Sequence, residues 1–270
     1  ADADDLRAAL RPGAAIVVVG MGVIGAEVAA SAVQAGCRVT AVEPGGAAML
    51  RTLGGRFGGW LSELHRARGV TAHYGVGVSA LEREGGTVRT VILTNGVRLE
   101  SDAVVVGIGV DPNVELAAAA GLRVANGIVV DAQGRTSDPH VWAAGDVSNQ
   151  PGFFGTRVRL ETFQNAAGQA AAAILGGAGG YVQPCWFWSD QYDFNIQVAG
   201  RIDDSLRLIL RGDVEGDSFT ALFLSDKIVE GVLTVNRGAD MAVGRRLVGR
   251  RAVVNLAAAG DVQVPLRSLI

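Results

Sequence analysis

The stretch AIVVVGMGVIGAEVAASAVQAGCRVTAVE, residues 15–43, decides the fold of this chain. Ala15–Val19 is a short apolar run rich in β-branched residues, which is typical of a strand buried on both faces of a parallel sheet. A glycine-rich turn follows, and Glu27–Gln34 then has the pattern of a helix that ends at Gly36. A second strand, Arg38–Val42, runs into an acidic residue. This order predicts a strand, a crossover helix and a second strand of an α/β sheet.

The turn after the first strand has the spacing G-x-G-x-x-G, at Gly20, Gly22 and Gly25. Gly20 allows a tight turn, Gly22 leaves no side chain in the way of a pyrophosphate, and Gly25 lets the helix pack closely on the strand. The helix N-terminus offers free amides and the positive end of its dipole, and Val23 and Ile24 within the turn are assigned to the same cofactor site. The turn therefore predicts a site for the phosphates of a dinucleotide.

Glu43, at the end of the second strand, indicates which dinucleotide binds. An acid about 20 residues after the glycines can accept hydrogen bonds from the adenine ribose hydroxyls, and its charge repels a 2′-phosphate. Pro44–Gly46 follows with no adjacent base, so NADH is favoured over NADPH. The alternative is an ordinary glycine-rich turn, which is disfavoured because the motif lies between a strand and a helix.

Composition restricts the function classes. The chain has 270 residues, 49% of them hydrophobic, and a formal net charge of −3. This balance supports a well-buried core and argues against a nucleic-acid surface. No apolar run reaches the roughly 18 residues of a membrane span, and the acidic segment Ala1–Asp5 does not resemble a signal peptide. We expect a soluble, cytoplasmic protein without membrane or nucleic-acid partners.

The cysteines and histidines suggest neither redox disulfide nor metal chemistry. Cys37 and Cys185 are far apart, so we expect two buried, inert thiols. The histidines, His65, His73 and His140, have no spacing that suggests a metal site or a nucleophile–base pair.

Three segments follow from the patterns along the chain. Residues 1–122 predict a Rossmann-like, three-layer nucleotide-binding domain with a hairpin at Asn95–Gly96. Residues 123–180 contain a strand, an alanine-rich helix and a closing glycine-rich connection at Gly176–Gly180. Residues 181–270 predict a small α+β domain without a nucleotide signature.

Further motifs occur in a fixed order after the glycine turn. They are Thr136–Pro139, Ala143–Asp146, Arg159–Thr162 with Asn165–Ala166, and Trp186–Gln191. Together they resemble the FAD-dependent, NADH-using ferredoxin reductases of bacterial oxygenase systems, over essentially the whole chain. The WFWSDQ run is the most specific piece, because related disulfide reductases lack it.

The resemblance implies FAD and NAD as cofactors and assigns residues to them. The implied contacts are Gly145 and Asp146 with the ribityl or phosphate part of the flavin, Asp190 and Gln191 with its isoalloxazine ring, and Gly107 and Gly109 beside the bound dinucleotide. An N-cap carboxylate is the alternative for Asp146, which follows a strand at the expected start of a helix.

Two residues are implied near the reacting groups. Glu27 would lie near the nicotinamide, with a helix-start acid that complements the dipole as the alternative. Trp188 would lie near the flavin and the docked ferredoxin, with a core aromatic as the alternative.

The basic run Gly244–Arg251 is either a docking face for an acidic ferredoxin or, as we favour, a solvated helix face.

One feature of the family is not found in this sequence. Its members begin with a separate FAD fingerprint, and their flavin domain is discontinuous, so residues 123–180 resemble its second half alone. We therefore expect the sequence to be part of a longer protein.

The resemblance implies hydride transfer from NADH to FAD and single-electron transfer to a [2Fe–2S] ferredoxin. Two alternatives stay open at this point. One is a flavin reductase with another acceptor, such as rubredoxin, a quinone or oxygen, and the other is a non-catalytic NADH-binding fragment.

Overall fold

The computed structural model describes residues 2–176, 180–214 and 216–269. The chain divides into two compact units. The first unit comprises Ala1–Gly109, Ser189–Phe194 and Asp203–Ser205, and the second comprises Val110–Trp188, Asn195–Ile202 and Leu206–Ile270. The three segments expected from the sequence stay a prediction, and residues 177–179 of the glycine-rich connection lie outside the described residues.

A parallel sheet forms the centre of the first unit. Its helices and strands are α1 (Asp2–Ala9), β1 (Ala15–Val19), α2 (Val23–Gln34), β2 (Arg38–Glu43), α3 (Leu50–Ala67), β3 (Thr71–Tyr74), β4 (Val78–Glu84), β5 (Thr87–Leu93), β6 (Arg98–Glu100) and β7 (Ala103–Val106). Four strands pair in the order β3-β2-β1-β7. The residues of the middle strand from Ile16 to Val18 are at most 1% exposed. This confirms the expected buried strand and the α/β fold.

A second, antiparallel sheet in the order β4-β5-β6 completes the first unit. Its last two strands pair across the predicted Asn95–Gly96 turn, with Val91 opposite Leu99. Gly96 has a φ of +85°, a conformation that favours glycine. The hairpin expected from the sequence is therefore confirmed.

Two helices begin earlier than the sequence pattern indicates. The crossover helix α2 begins at Val23 instead of Glu27, directly after the glycine turn. The amphipathic pattern of Phe57–Arg68 after a glycine-rich loop predicts a helix from Phe57, but α3 begins at Leu50. The sequence pattern does not indicate this start, because the helix is interrupted by a kink. Gly54 has non-helical angles there (φ 71°, ψ 177°).

Most strand pairs of the second unit are antiparallel. The elements that follow Val110 in the chain are α4 (Glu115–Ala119), β8 (Ile128–Val129), β9 (Ser148–Pro151), β10 (Arg157–Val158), α5 (Phe163–Leu175), β11 (Trp186–Gln191), β12 (Phe194–Gly200), β13 (Arg207–Asp213), β14 (Ser218–Ser225), β15 (Ile228–Val235), α6 (Gly238–Gly249), α7 (Leu256–Gly260) and a 3₁₀ helix (Leu266–Leu269). The larger sheet has the order β11-β12-β15-β14-β13. Within the described ranges, no helix combines the length and the apolar character needed to cross a membrane.

The apolar core of the second unit lies between this sheet and α6. Leu222, Val232, Met241 and Leu247 are each at most 1% exposed and belong to one cluster. Gly244 lets the helix approach the sheet, because a Cβ built there would lie 2.8 Å from Val232 Cγ1 and 3.1 Å from its Cβ.

Two glycine substitutions in α6 test this packing. Gly244→Ala should lower the free energy of unfolding by about 1–3 kcal/mol, the usual effect of overpacking a close contact. Gly249→Ala in the same helix has nothing within 4 Å of the new Cβ and should be neutral or stabilising by up to about 1 kcal/mol. Urea unfolding of both variants measures the difference, and equal stabilities would contradict the close approach.

Candidate dinucleotide-binding site

Backbone crowding shapes the glycine turn between β1 and α2. A Cβ on Gly25 would lie 1.9 Å from Gly20 O, and one on Gly20 would lie 2.4 Å from Gly107 O. Gly20 also has a φ of +94°. Side chains are therefore excluded at both positions, and the strand end, the helix start and the end of β7 meet in direct backbone contact.

Gly22 differs from the other two glycines of the motif. A Cβ there would meet no atom within 4 Å. Gly22 is the N-cap of α2, and no side chain caps this helix. The first amides of the helix, those of Val23 and Ile24, therefore lie at an N-terminus with open space beside Gly22. This is the arrangement that binds phosphate groups.

Glu43 is held against the glycine turn by two backbone amides. Its Oε2 accepts a hydrogen bond from Met21 N at 2.8 Å, and its Oε1 accepts one from Gly45 N at 2.6 Å. The carboxylate is therefore fixed at the end of β2, beside the loop that carries Gly20 and Gly22. The sequence indicated that Glu43 is an acid for the ribose, but not that its carboxylate also holds the backbone of the glycine turn. The contact of Glu43 with a ribose stays a prediction.

Gly107 and Gly109 follow β7, on the other side of β1. Gly107 N donates to Val19 O at 2.7 Å, which continues the sheet by one residue. Gly109 has a φ of +113°, an angle that side chains rarely adopt. Both glycines are therefore explained by backbone geometry, and their contact with a dinucleotide stays a prediction.

Glu27 lies on α2, about one turn from the helix start at Val23 and two residues after Gly25, and is half-buried. Ser189 Oγ donates a hydrogen bond to Glu27 Oε1 at 2.7 Å. Burial raises the pKa of Glu27, the negative charge of Asp190 raises it further, and the bond from Ser189 opposes both effects. The protonation state of this carboxylate is thus sensitive to its surroundings. A group of this kind suits a position beside a reacting cofactor.

The structure places Gln191 away from solvent. Its side chain is fully buried, and its Nε2 donates to Ser189 Oγ at 2.9 Å and to Met49 Sδ at 3.4 Å. Its Oε1 lies 2.9 Å from His65 Nε2. Both ends of the amide are therefore occupied inside the first unit, and a direct contact of Gln191 with a flavin ring stays a prediction. Asp190, its neighbour, is exposed.

His65 is a residue that sequence reasoning missed. It is fully buried, and its Nδ1 lies 2.8 Å from Tyr192 Oη. Burial lowers the pKa of His65 to about 4, although the bond with Gln191 acts in the other direction. His65 and Gln191 are 126 positions apart in the chain, so no local pattern could have joined them.

Trp188 is part of a row of rings in the second unit. Its ring stacks on Phe163 at 6.0 Å and is tilted against Trp186 at 5.2 Å, between centroids. The Arg245 guanidinium lies 4.1 Å from the Trp186 ring centroid. Trp188 is 38% exposed, so the alternative that it is a core aromatic is wrong.

A cavity of about 390 Å³ in the second unit adjoins Trp186. Arg245, Arg246 and Arg250 line it together with this ring. Three arginines of the basic run Gly244–Arg251 thus line this cavity.

The expectation of a helix start at Asp146 is wrong. Asp146 is exposed and lies in the turn that precedes β9. Since no helix begins there in the described chain, the N-cap alternative is wrong as well. Gly145 has a φ of +80°, and its amide donates to the buried Gln169 Oε1 at 2.8 Å. The buried Gln169 side chain thus holds the turn in place. The contact of Asp146 with a flavin stays a prediction.

Both cysteines are partly exposed, and not buried as expected. Burial of the sulfur nevertheless raises the pKa of Cys185 to about 11, so its thiol is protonated at neutral pH. Among the described residues, no group of three or more His, Cys, Asp or Glu side chains has the arrangement of a metal site.

The chain belongs to the pyridine nucleotide-disulphide oxidoreductase family, whose model matches residues 1–170. A second model, described as the reductase C-terminal domain, matches residues 186–270. The resemblance expected from the sequence motifs is thereby confirmed.

Curated relatives and solved structures agree with this assignment. The chain is 39% identical to the ferredoxin--NAD(+) reductase component of the p-cumate 2,3-dioxygenase system of Pseudomonas putida, covering 98% of this chain and 66% of the relative. It is 38% identical to the corresponding component of the biphenyl dioxygenase system of Paraburkholderia xenovorans, covering 100% of this chain and 67% of the relative. The chain thus spans about two thirds of the length of these relatives.

Among solved structures, the covalent putidaredoxin reductase–putidaredoxin complex matches with a TM-score of 0.94 and 34% identity, over 99% of this chain and 66% of that chain. The ferredoxin reductase for the CYP199A2 system from Rhodopseudomonas palustris matches with a TM-score of 0.92 and 38% identity, over 98% of this chain and 67% of that chain.

The buried His65 predicts a loss of stability in acid. Its pKa of about 4 lies below the usual value of 6.5, so between these values the unfolded chain binds a proton that the folded chain does not. The contribution of the neutral His65 to the free energy of unfolding should therefore be complete above pH 6.5. The free energy of unfolding should fall by about 3 kcal/mol as the pH decreases to 4. Urea unfolding between pH 7 and pH 4 measures this loss.

The His65→Gln variant should lose this contribution to the acid sensitivity. His140→Gln is the matched control, because His140 is exposed and its replacement should leave the acid slope unchanged. An equal slope in wild type and His65→Gln would contradict the assignment.

Proposed function

We propose that this chain is part of a flavoprotein reductase that passes electrons from NADH through FAD to a [2Fe–2S] ferredoxin of an oxygenase system. The observation that carries the proposal is the uncapped N-terminus of α2 with open space at Gly22. It occurs in a chain whose relatives are named ferredoxin--NAD(+) reductase components. The proposed donor, NADH, also supports a cytoplasmic location.

The nicotinamide dinucleotide is assigned to the glycine turn of the first unit. The amides at the start of α2 would bind its diphosphate, and Glu43 would accept hydrogen bonds from its adenine ribose. Since Glu43 is fixed by two backbone amides, its charge stays near the position of the ribose and disfavours a 2′-phosphate. Glu27, one helical turn further on, is assigned to the nicotinamide end.

Unpaired polar groups support a flavin site in the second unit. Gln150 Oε1 and Arg159 Nε are buried and have no hydrogen-bond partner among the described residues. Such groups are unfavourable unless a further group pairs with them. They lie in the segment assigned to the flavin, together with the exposed Asp146 and the positive-φ Gly145. These residues fit a polar cofactor, and we assign FAD to them.

The protein residues bind and orient, and the cofactors carry the chemistry. FAD, when bound, accepts a hydride from NADH and releases electrons one at a time. Glu27 would hold the nicotinamide through its carboxylate, which Ser189 orients. Trp188 and its ring neighbours would line the path toward the electron acceptor.

Acceptor comparison tests the proposed function. The purified protein should bind FAD, absorb near 450 nm, and lose this absorbance on addition of NADH. It should then reduce a [2Fe–2S] ferredoxin at least about tenfold faster than rubredoxin, a quinone or oxygen, a difference of about 1.4 kcal/mol in activation free energy. Faster turnover with one of the other acceptors would favour the second candidate class, and a colourless protein that binds NADH would favour the NADH-binding fragment.

A single methyl group tests the NADH site. Gly22→Ala should weaken NADH binding by about tenfold or more, or 1.4 kcal/mol, because the new methyl would occupy the space assigned to the diphosphate. The melting temperature should not change, since no protein atom lies within 4 Å of this methyl. Calorimetric titration with NADH measures the affinity.

Gly59→Ala is the matched control for this variant. Gly59 lies in α3 of the same unit and also has nothing within 4 Å of an added Cβ. Its replacement should leave NADH affinity unchanged. Unchanged affinity in Gly22→Ala would place the diphosphate elsewhere.

A further inference from the structure

We infer that His65, Gln191 and Ser189 are positioning residues for Glu27: with Tyr192 they form a buried hydrogen-bond chain of fixed direction that aims the Ser189 hydroxyl proton at the Glu27 carboxylate. The inference concerns how the carboxylate is held, and its consequence for NADH rests on the proposed function.

The chain of contacts is continuous and lies entirely within the first unit. Tyr192 Oη is 2.8 Å from His65 Nδ1, and His65 Nε2 is 2.9 Å from Gln191 Oε1. Gln191 Nε2 is 2.9 Å from Ser189 Oγ, which is 2.7 Å from Glu27 Oε1. All four distances are those of well-formed hydrogen bonds. Elements distant in the sequence, α2, α3 and the segment 189–194, are linked by these contacts.

When Glu27 is ionised, its charge fixes the direction of every bond in the chain. An ionised carboxylate only accepts, so Ser189 must donate its single proton to Glu27. The Ser189 oxygen then accepts from the Gln191 amide nitrogen, which turns the Gln191 carbonyl toward His65. His65 must therefore carry its proton on Nε2, and its Nδ1 accepts from the Tyr192 hydroxyl.

Burial and the neighbouring groups support this direction. Ser189, Gln191 and His65 are all fully buried, so water does not compete for their polar atoms. The pKa of His65 is lowered to about 4, which keeps the ring neutral with one donor and one acceptor nitrogen. The pKa of Tyr192 is raised to about 12 by burial, which keeps its hydroxyl a donor at neutral pH.

A second contact of the Gln191 amide agrees with the same orientation. Its nitrogen faces Met49 Sδ at 3.4 Å. A thioether sulfur is a weak acceptor and has no proton to donate, so it suits the amide nitrogen and not the carbonyl. If the Gln191 amide were reversed, its oxygen would face both Met49 Sδ and Ser189 Oγ. The contact with the sulfur would then be lost, and the Ser189 proton would be drawn away from Glu27.

The consequence is that the charge of Glu27 and the tautomer of His65 are coupled through two intervening side chains. With Glu27 ionised, the chain stabilises the carboxylate as an acceptor with one oxygen held by Ser189. Among the described residues, Oε1 is the only side-chain atom of Glu27 with a hydrogen-bond partner. The second oxygen is thus left for a donor on a ligand, and the carboxamide of the nicotinamide is a donor of the required chemistry.

The tautomer of His65 tests the direction without any ligand. Nitrogen-15 NMR of the purified protein at pH 7 should show His65 with its proton on Nε2, with the exposed His140 as an internal reference. Glu27→Leu removes the acceptor that fixes the direction, because Ser189 then gains a bond by donating to Gln191. In this variant the His65 proton should move to Nδ1 in a substantial fraction of molecules.

Two Ser189 variants form a matched pair and cover the case in which Glu27→Leu does not fold. Ser189→Ala breaks the chain and should give a mixture of His65 tautomers, whereas Ser189→Thr keeps the hydroxyl and should retain the Nε2 proton. NADH affinity should fall by about tenfold or more in Ser189→Ala, the loss of one hydrogen bond to a charged group, and should be restored in Ser189→Thr.

The outcomes separate this inference from the proposed function. A wild-type His65 with its proton on Nδ1, or a tautomer that does not change in Ser189→Ala or in a folded Glu27→Leu, would overturn the inference. Tautomers that change as expected in a protein that does not bind NADH would support the chain of fixed direction and overturn the proposed function instead.

Discussion

Backbone crowding at the glycine turn is the constraint on which the rest of the first unit depends. The carbonyl of Gly20 lies where a side chain on Gly25 would begin, and the carbonyl of Gly107 limits Gly20 in the same way. No residue other than glycine fits these positions without displacing the backbone of β1, α2 or β7. The contact therefore fixes where α2 begins and in which direction its N-terminus points.

Two carboxylates take their positions from this contact. Glu43 is tied to the turn itself through Met21 N. Glu27 lies one turn along α2, where Ser189 reaches it. In the proposed function, the two acids lie at the two ends of a dinucleotide bound across the start of the helix. The turn supplies backbone amides as donors, and the acids supply acceptors.

Local features of this site could be predicted from the sequence, and long-range ones could not. The motif at Gly20–Gly25 and the acid at Glu43 are read from spacing, because the glycines act through the backbone of one turn and the Glu43 carboxylate ends the next strand along the chain. The bond between His65 and Gln191 joins residues 126 positions apart, and His65 carried no pattern that would have distinguished it. Asp146 was expected to begin a helix because a short acid after a strand often does so. The backbone instead turns into β9, where Gln169 and not a helix satisfies the Gly145 amide.

A crystal structure of the protein soaked with NADH tests the central claim most directly. We expect density for the diphosphate at the start of α2, with its oxygens within about 3 Å of the amides of Val23 and Ile24, and the adenine ribose beside Glu43. Density for NADH at another place, or a diphosphate without contact to these amides, would contradict it.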